Sequence, residues 1–320
     1  MRALVTGGAG FIGSTLVDRL LAEDWRVDVV DDLSTGSLGN LNDARSQPDR
    51  RFSFHRLDIA SGAVTELIAH RRPDVIFHLA AQADVRVSVS RPVFDATVNI
   101  LGSLNVLEGA VGAGVSKVVF ASSGGTIYGT PEEVPTREGS SQRPVSPYGV
   151  AKKTVGDYLH YYREVRGLEY SALALANVYG PRQDPHGEAG VVSIFAGKLL
   201  AHERPVIYGD GEQTRDFVYV DDVVQANMRA MFAPYAGPSP FNVASGSRTT
   251  LNALAAQLGE IIGVQPSIVR GPARAGDIRH SAANITAIRR ALAYDPRWTT
   301  RAGLEALVAS IRAAAPPPQS

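Results

Sequence analysis

The stretch Thr6-Gly7-Gly8-Ala9-Gly10-Phe11-Ile12-Gly13 starts at the last residue of a short apolar run, Arg2 to Thr6. It ends inside a helical pattern with apolar residues at Phe11, Ile12, Leu16, Leu20 and Leu21. Strand, glycine turn and helix in this order let backbone N–H groups approach a pyrophosphate, and the helix N-terminus adds its partial positive charge. The spacing is Gly-x-x-Gly-x-x-Gly rather than the tighter Gly-x-Gly-x-x-Gly, and a bare glycine turn is often just a loop. The next strand, Arg26 to Val30, decides between them by ending in Asp31-Asp32. A carboxylate there suits the ribose hydroxyls of NAD and repels the extra phosphate of NADP.

Working outward, strand-like runs recur at Arg2–Thr6, Arg26–Val30, Phe52–His55, Val75–Ala80, Lys117–Ser122 and Tyr170–Leu175. Helical patterns lie near 11–23, 61–71, 94–113 and 148–166. Such alternation predicts an α/β fold, a Rossmann-type doubly wound parallel sheet. After about residue 180 the rhythm becomes irregular, with short strands at Val206–Tyr208, Phe217–Val220 and Ser267–Arg270 among helices near 191–202, 222–233 and 250–262. The expected division is a dinucleotide-binding domain over 1–175, with parts of 205–235 returning to it. An interleaved, smaller α/β substrate lobe covers 176–312, and an Ala/Pro-rich tail over 313–320 is expected to be disordered.

The bulk numbers exclude several classes. Across 320 residues, 32 basic and 32 acidic side chains cancel, which removes the electrostatic case for nucleic acid or an anionic membrane. There is no cysteine, so disulfides, thiolate catalysis and cysteine-based zinc sites are ruled out, and no metal is expected. No apolar run approaches the ~20 residues that span a bilayer. The first residues already form a strand, leaving no room for a signal peptide, so the cytoplasm is the expected compartment.

Chemistry enters at Ser146-Pro147-Tyr148-Gly149-Val150-Ala151-Lys152. Ser146 suits an N-cap and Pro147 the first helical position, which puts Tyr148 in the first turn, where the helix dipole favours negative charge. Lys152, one turn later, shares its face. A free phenol titrates near 10, so ionisation near neutrality needs a fall of roughly 3 units, ~4 kcal/mol. A nearby ammonium, the helix N-terminus and a cationic nicotinamide together suffice. The result is a general base for a sugar-like hydroxyl. Alone, Tyr-x-x-x-Lys is more often a core tyrosine beside a solvated lysine. Behind a dinucleotide fingerprint it reads as catalytic.

With these motifs, further segments complete a pattern: Asp58-Ile59, His78-Leu79-Ala80-Ala81-Gln82, Ser122-Ser123-Gly124-Gly125-Thr126-Ile127-Tyr128-Gly129 and Asn177-Val178-Tyr179-Gly180-Pro181-Arg182. Gly209-Asp210-Gly211, Arg215-Asp216-Phe217-Val218-Tyr219-Val220-Asp221-Asp222 and Arg274-Ala275-Gly276-Asp277 follow. Over residues 1–312 the chain resembles the extended short-chain dehydrogenase/reductase family, and within it the nucleotide-sugar epimerases. The resemblance implies a tightly held, recycled NAD and 4-epimerisation of a UDP-hexose, UDP-glucose and UDP-galactose, through a transient 4-keto sugar. It implies that Tyr148 is the base, that Lys152 orients the nicotinamide ribose and lowers the tyrosine pKa, and that a Ser/Thr hydroxyl bonds the sugar O4. Many relatives carry that hydroxyl where this chain has Gly124, so Ser123 or Thr126 takes the role. Ser123 is favoured because Ser/Thr before Gly-Gly resembles one epimerase branch; the alternative for each is a strand-end hydroxyl bonded to backbone.

Cofactor contacts carry over to Gly7, Gly10, Phe11, Ile12, Gly13, Asp31, Asp32, Ser34, Gly36, Asp58, Ile59, Leu79, Ala80, Ala81, Gln82, Asn99, Ser122, Tyr148 and Lys152. Asn99, inside a helical pattern, alternatively satisfies backbone. Substrate contacts carry over to Ser123, Tyr148, Asn177, Val191, Val192, Tyr208, Arg215, Arg274 and Asp277, with the two arginines as diphosphate clamps. The loop from Gln183 to Val192 is expected to close over the nucleotide, and His186 in it reads as a loop contact. Asp216, Asp221 and Asp222 read as structural ion pairs and a helix N-cap.

Sister reactions are weighed from the same residues. The 4,6-dehydratases and uronate decarboxylases usually place an acidic residue just after the catalytic Ser/Thr, where this chain has Gly124-Gly125-Thr126. A second acid/base cysteine, used in the deoxysugar branch, is missing. Ser281 stands at the family's size-gating position, leaving room for an N-acetyl group, so UDP-GlcNAc/GalNAc activity is an alternative, as is UDP-glucuronate 4-epimerisation. A non-catalytic NAD(P)-sensing protein is the reading from another class, disfavoured because tyrosine and lysine are both intact. Apolar surplus on the helices near 94–113 (Val98, Leu101, Leu104, Leu107) and 148–166 (Val155, Tyr158, Leu159, Tyr162) suits a homodimer through a four-helix bundle, or else deeper burial within one subunit.

Overall fold

The computed structural model of the chain describes residues 1–47, 51–184, 190–235, 237–273 and 278–314. Seven parallel strands form one sheet: β1 (Arg2–Thr6), β2 (Arg26–Asp31), β3 (Phe52–Arg56), β4 (Val75–His78), β5 (Lys117–Ser123), β6 (Tyr170–Leu175) and β7 (Phe241–Val243). Their order is β7-β6-β5-β4-β1-β2-β3. The direction of winding reverses between β1 and β4, and crevices for ligands open at the carboxyl ends of strands at such a point. The register sets Thr6 beside His78 there.

The sheet is two-sided because its strands are apolar in both directions. Ala3, Val5, Val75 and Phe77 enter one core, and Leu4, Ile76, Val118 and Phe120 the other. The first core is closed by α1 (Phe11–Ala22) and by Val223, Val224 and Met228 of a helix over Val220–Ala230. The second is closed by α2 (Ala63–Arg71), α3 (Gly102–Ala113) and α4 (Pro147–Arg166), with Ile68, Val106, Leu107, Val155 and Leu159 buried. A third core, built on Phe195, Leu199, Phe217, Leu254 and Leu304, belongs to the smaller lobe.

Two elements differ from the sequence reading. The seventh strand, Phe241–Val243, pairs with β6 and lies beyond the 205–235 range expected to return to the sheet. Three residues, Phe241-Asn242-Val243, give too short a period to signal a strand. The single helix expected over 94–113 is instead a turn at Pro92–Ala96, a π-helical turn at Thr97–Leu101, and then α3. In the tail, Ala313 and Ala314 finish a helix that begins at Thr300, and 315–320 lie outside the described residues. Among the described residues no helix is long and apolar enough to cross a membrane.

Candidate active site

The glycine turn is built by close approach. A Cβ on Gly7 would meet the Ala80 backbone nitrogen at 2.7 Å, and Gly7 itself has φ +70°. One on Gly13 would strike the Gly7 carbonyl, so α1 and the end of β4 can lie against the turn only without side chains there. Gly10 differs: the Gly7 oxygen, at 3.2 Å, is the one heavy atom within 4 Å of its notional Cβ. Gly10 is the N-cap of α1, contributes no capping side chain, and the first turn holds no acidic residue. Unclaimed N–H groups, a helix dipole and a hollow that a methyl would fill suit a pyrophosphate. Asp31, buried at the end of β2, accepts from Ala9 N and Leu33 N, both at 2.9 Å, and so pins the turn. Exposed Asp32 accepts from the Ser34 backbone N–H and hydroxyl, and Gly36 passes close over Asp31. Asp58 caps its own turn through Ala60 N, and Ile59 is buried against Gly102. These residues could hold the adenosine half of a dinucleotide.

After β4, Leu79 to Gln82 form the opposite wall. A buried chain of hydrogen bonds fixes it. Ala80 N–H donates to Thr6 Oγ1, which meets His78 Nδ1 at 2.7 Å; His78 Nε2 meets Ser103 Oγ at 2.8 Å, and that hydroxyl donates to the Asn99 carbonyl. Because Ser103 spends its proton on Asn99, Nε2 must carry the imidazole hydrogen and Thr6 must donate to Nδ1. Burial, aided by Lys152, pushes His78 down to about 3, so it is neutral. Asn99 sits in the π turn and brackets Gln82: its Oδ1 accepts from Gln82 N and its Nδ2 donates to Gln82 O, each at 2.9 Å. That is the backbone-satisfying alternative of the sequence reading. The Gln82 side chain is likewise turned inward, onto Asp84 and Asp95.

The chemistry-bearing residues meet at the end of β5. Ser146 caps α4 through Gly149 N–H at 3.2 Å, with Pro147 at the first helical position, as the sequence reading has it. Tyr148 then lies within hydrogen-bonding reach of the Ser123 hydroxyl. Lys152, 4% exposed, donates to the Ala121 carbonyl at 2.8 Å, with its ammonium 4.8 Å from the Phe120 ring centre and 5.7 Å from that of Tyr148. Ser122 is buried beside them. The Thr126 hydroxyl is buried with no hydrogen-bond partner among the described residues, and the Thr126 backbone and Cβ pack on Gly149. Gly124 is explained by crowding, since a Cβ there would lie 3.1 Å from the Ala174 carbonyl. In the protein alone the phenol is not brought toward neutrality; burial and the Asp95 charge push Tyr148 up to about 12, with Ser123 opposing them. The remaining cation of the sequence reading, the nicotinamide ring, is the cofactor's own.

On the lobe side, Asn177 bonds the Asp216 carbonyl and Arg215 the Ile278 carbonyl at 2.8 Å. Ser281 shares a crevice wall with Gly124, Gly125 and Ile278. Half-exposed Tyr208 lies against Gly271, and Val191 opens the helix Val191–Leu200. Val192, 1% exposed, is part of the lobe core, so its side chain faces inward. Arg274, Asp277 and His186 lie outside the described residues. Asp216 accepts from Ser245 N, Ser245 Oγ and Gly246 N, and Asp222 from Arg297 N and Trp298 N, so both are structural. The N-cap of their helix is Tyr219; Asp221 and Asp222 fall in its first turn. Asp95 was missed in sequence. Its signal was the four-residue spacing to Asn99, which puts both on one helical face.

Comparison with known proteins gives consistent matches. The model of the NAD dependent epimerase/dehydratase family matches residues 3–244. UDP-glucose 4-epimerase of Mycolicibacterium smegmatis is 47% identical over 312 residues, covering 98% of this chain and 99% of that protein. The crystal structure of a UDP-glucose 4-epimerase from Thermotoga maritima with UDP-glucose is 44% identical, with 98% and 99% of the chains covered and a TM-score of 0.93. That of the Thermus thermophilus UDP-glucose 4-epimerase complex with NAD is 40% identical, with 98% and 100% covered and a TM-score of 0.90.

Proposed function

This chain belongs to the NAD dependent epimerase/dehydratase family, and we propose that it is an NAD-dependent 4-epimerase interconverting UDP-glucose and UDP-galactose. The observation that carries the reading is the meeting of the Tyr148 phenol, the Ser123 hydroxyl and the buried Lys152 ammonium at the crevice beside an open glycine cradle. Residues 1–175, with the later segments that return to the sheet, form the dinucleotide half in this reading, and the rest forms the sugar-nucleotide half.

The cradle at Gly7, Gly10, Phe11, Ile12 and Gly13 would hold the pyrophosphate, and Asp31, Asp32, Ser34, Gly36, Asp58 and Ile59 the adenosine end. Leu79 to Gln82, Ser122 and Lys152 would face the nicotinamide end. When bound, NAD supplies the hydride acceptor and donor for the sugar C4. Tyr148 takes the proton of the C4 hydroxyl as the 4-keto sugar forms and returns it to O4 after the sugar has turned over. Ser123 holds O4 toward the phenol. Lys152, whose ammonium is pushed down only to about 8 by burial, remains a cation at neutral pH and stabilises the phenolate. Asn177 and Arg215 would hold the UDP, together with Arg274 and Asp277 of the sequence reading.

Turnover of UDP-galactose, with release of NAD on denaturation, tests the reading. No turnover by the loaded protein overturns it. A second activity, on UDP-GlcNAc and UDP-GalNAc, is favoured by Ser281, whose small side chain on the crevice wall would leave room for an N-acetyl group. No carboxylate stands at Gly124–Thr126 to serve a dehydratase or decarboxylase.

The assembly proposed is a homodimer in the cytoplasm. On α4, Val150, Tyr158, Tyr161 and Val165 are exposed along one face, and Val93 (80%) and Leu101 (54%) are exposed on the adjoining turns. Leu107, Val155, Leu159 and Tyr162 are instead buried within the subunit. Two copies paired through these helices would make a four-helix bundle; a monomer by sedimentation removes the proposal.

A further inference from the structure

We propose that Asp95 is a positioning residue for the reaction: a buried carboxylate whose charge acts on the Tyr148–Lys152 pair while its hydrogen bonds hold the Gln82 turn. The proposal rests on the epimerase reading above.

Asp95 sits on the turn Pro92–Ala96 and is 0% exposed. Its Oδ1 accepts from Gln82 Nε2 and from Asn99 Nδ2, each at 2.9 Å. Its Oδ2 is buried and has no hydrogen-bond partner among the described residues. Burying a carboxylate with one bare oxygen is costly. A plain linker would need no charge, because an asparagine accepts the same two bonds through its own oxygen. What the hydrogen bonds leave unexplained is the charge.

The surroundings supply a use for it. Asp95 shares the walls of a groove with Ser146, Pro147 and Ala151, directly under the first turn of α4. The titratable groups acted on by its charge are Lys152 and Tyr148, both on α4. Other charges nearby look elsewhere: Arg91 stacks on the Phe94 ring at 4.3 Å, and Arg86, on the turn Val85–Ser90, pairs with Asp84 at 3.5 Å. The π turn contributes only the neutral Asn99. A fixed negative charge there favours the ammonium over the amine on Lys152 and the phenol over the phenolate on Tyr148. It therefore opposes the burial that pulls Lys152 down, and it adds to the burial that holds Tyr148 protonated. Through Asn99 the same carboxylate fixes the Gln82 peptide, so one side chain joins the cofactor-facing turn to the base.

The test is Asp95→Asn in the NAD-loaded enzyme. Tyrosinate absorbance is titrated in each protein against its own Tyr148→Phe counterpart, and kcat is followed against pH. The position-148 phenolate should form about one pH unit lower, and both limbs of the kcat profile should move to lower pH together. Asp95→Glu, which restores a charge, should return the limbs toward the wild-type positions. Asp95→Ser is a second neutral variant and should give the same displacement if Asp95→Asn does not fold. If the neutral variants lose activity or stability while titration and limbs stay in place, Asp95 is a structural anchor and the proposal fails. If wild-type enzyme turns over no UDP-sugar, it is the epimerase reading that falls; the tyrosinate titration still decides the role of Asp95.

Discussion

Replacing Gly10 by alanine separates holding the dinucleotide from holding the fold. At φ −77° and ψ −179° an alanine fits without backbone strain, and its Cβ would have a single close neighbour, the Gly7 oxygen at 3.2 Å. The cost to the folded chain is that of a poorer N-cap residue, about 0.5 kcal/mol. The methyl stands instead in the hollow before the first N–H groups of α1. Losing one charge-assisted hydrogen bond from those groups to a phosphate costs about 1.5–3 kcal/mol, roughly a ten- to hundredfold loss of NAD affinity. Gly7→Ala forms the contrast. A left-handed alanine there costs about 1–2 kcal/mol by itself, and its Cβ would lie 2.7 Å from the Ala80 nitrogen, so the fold suffers first. Nucleotide released on denaturation, measured by chromatography beside melting curves without added NAD, distinguishes the two. Gly10→Ala should melt close to wild type while carrying much less NAD, and Gly7→Ala should melt lower. Wild-type NAD content in Gly10→Ala would refute the cradle.

Tyr148→Phe should lower kcat by about 10²–10⁴ with NAD content unchanged; near-normal turnover would remove Tyr148 as base. Ser281→Tyr should abolish turnover of the acetamido sugars and spare UDP-galactose, and equal loss of both would mean that Ser281 does not gate size. His78 predicts an acid-side instability. Its imidazole is held down to about 3 from 6.5, so the unfolded chain binds a proton that the folded protein refuses. The stability it contributes is whole above pH 6.5 and is lost as pH falls toward 3, about 2 kcal/mol of it by pH 5. Denaturant titrations at pH 7.5 and pH 5 should show that loss in wild type and not in His78→Gln; parallel slopes would contradict it. Asp216→Asn should destabilise by about 1–3 kcal/mol, because an amide cannot accept all three donors from Ser245 and Gly246. An unchanged denaturation midpoint would count against that clasp.

What the sequence disclosed follows from which signals are local. Glycine spacing, Asp31 at a strand end and Ser146-Pro147 before Tyr148 each encode a backbone event within a few residues, and each stands where expected. Six strands announced themselves by strand-like runs of five or more residues or by near-continuous apolar sequence, whereas β7 is three residues long and owes its strand conformation to β6 beside it. The choice between Ser123 and Thr126 was open in sequence because one hydroxyl ends β5 and the other stands three residues later. The fold puts the Ser123 hydroxyl within reach of Tyr148, while the Thr126 backbone and Cβ pack on Gly149. Asp95 and the His78 chain were illegible for another reason: their partners, Gln82, Lys152, Thr6 and Ser103, come from distant parts of the chain.

The late arrival of β7 bears on how this molecule can be divided. A fragment ending at Leu175 would carry every glycine of the cradle, yet would present the flank of β6 as an open edge, its N–H and C=O groups from Leu173 to Leu175 exposed to whatever strand came by. The missing cover is encoded some sixty-five residues downstream, on the far side of segments that build the smaller lobe. Swapping specificity by exchanging whole halves with a relative is therefore closed to simple splicing. Grafts must enter by loops that leave Phe241–Val243 in register, and a chain released half-made would be sticky at that flank until its last third emerged.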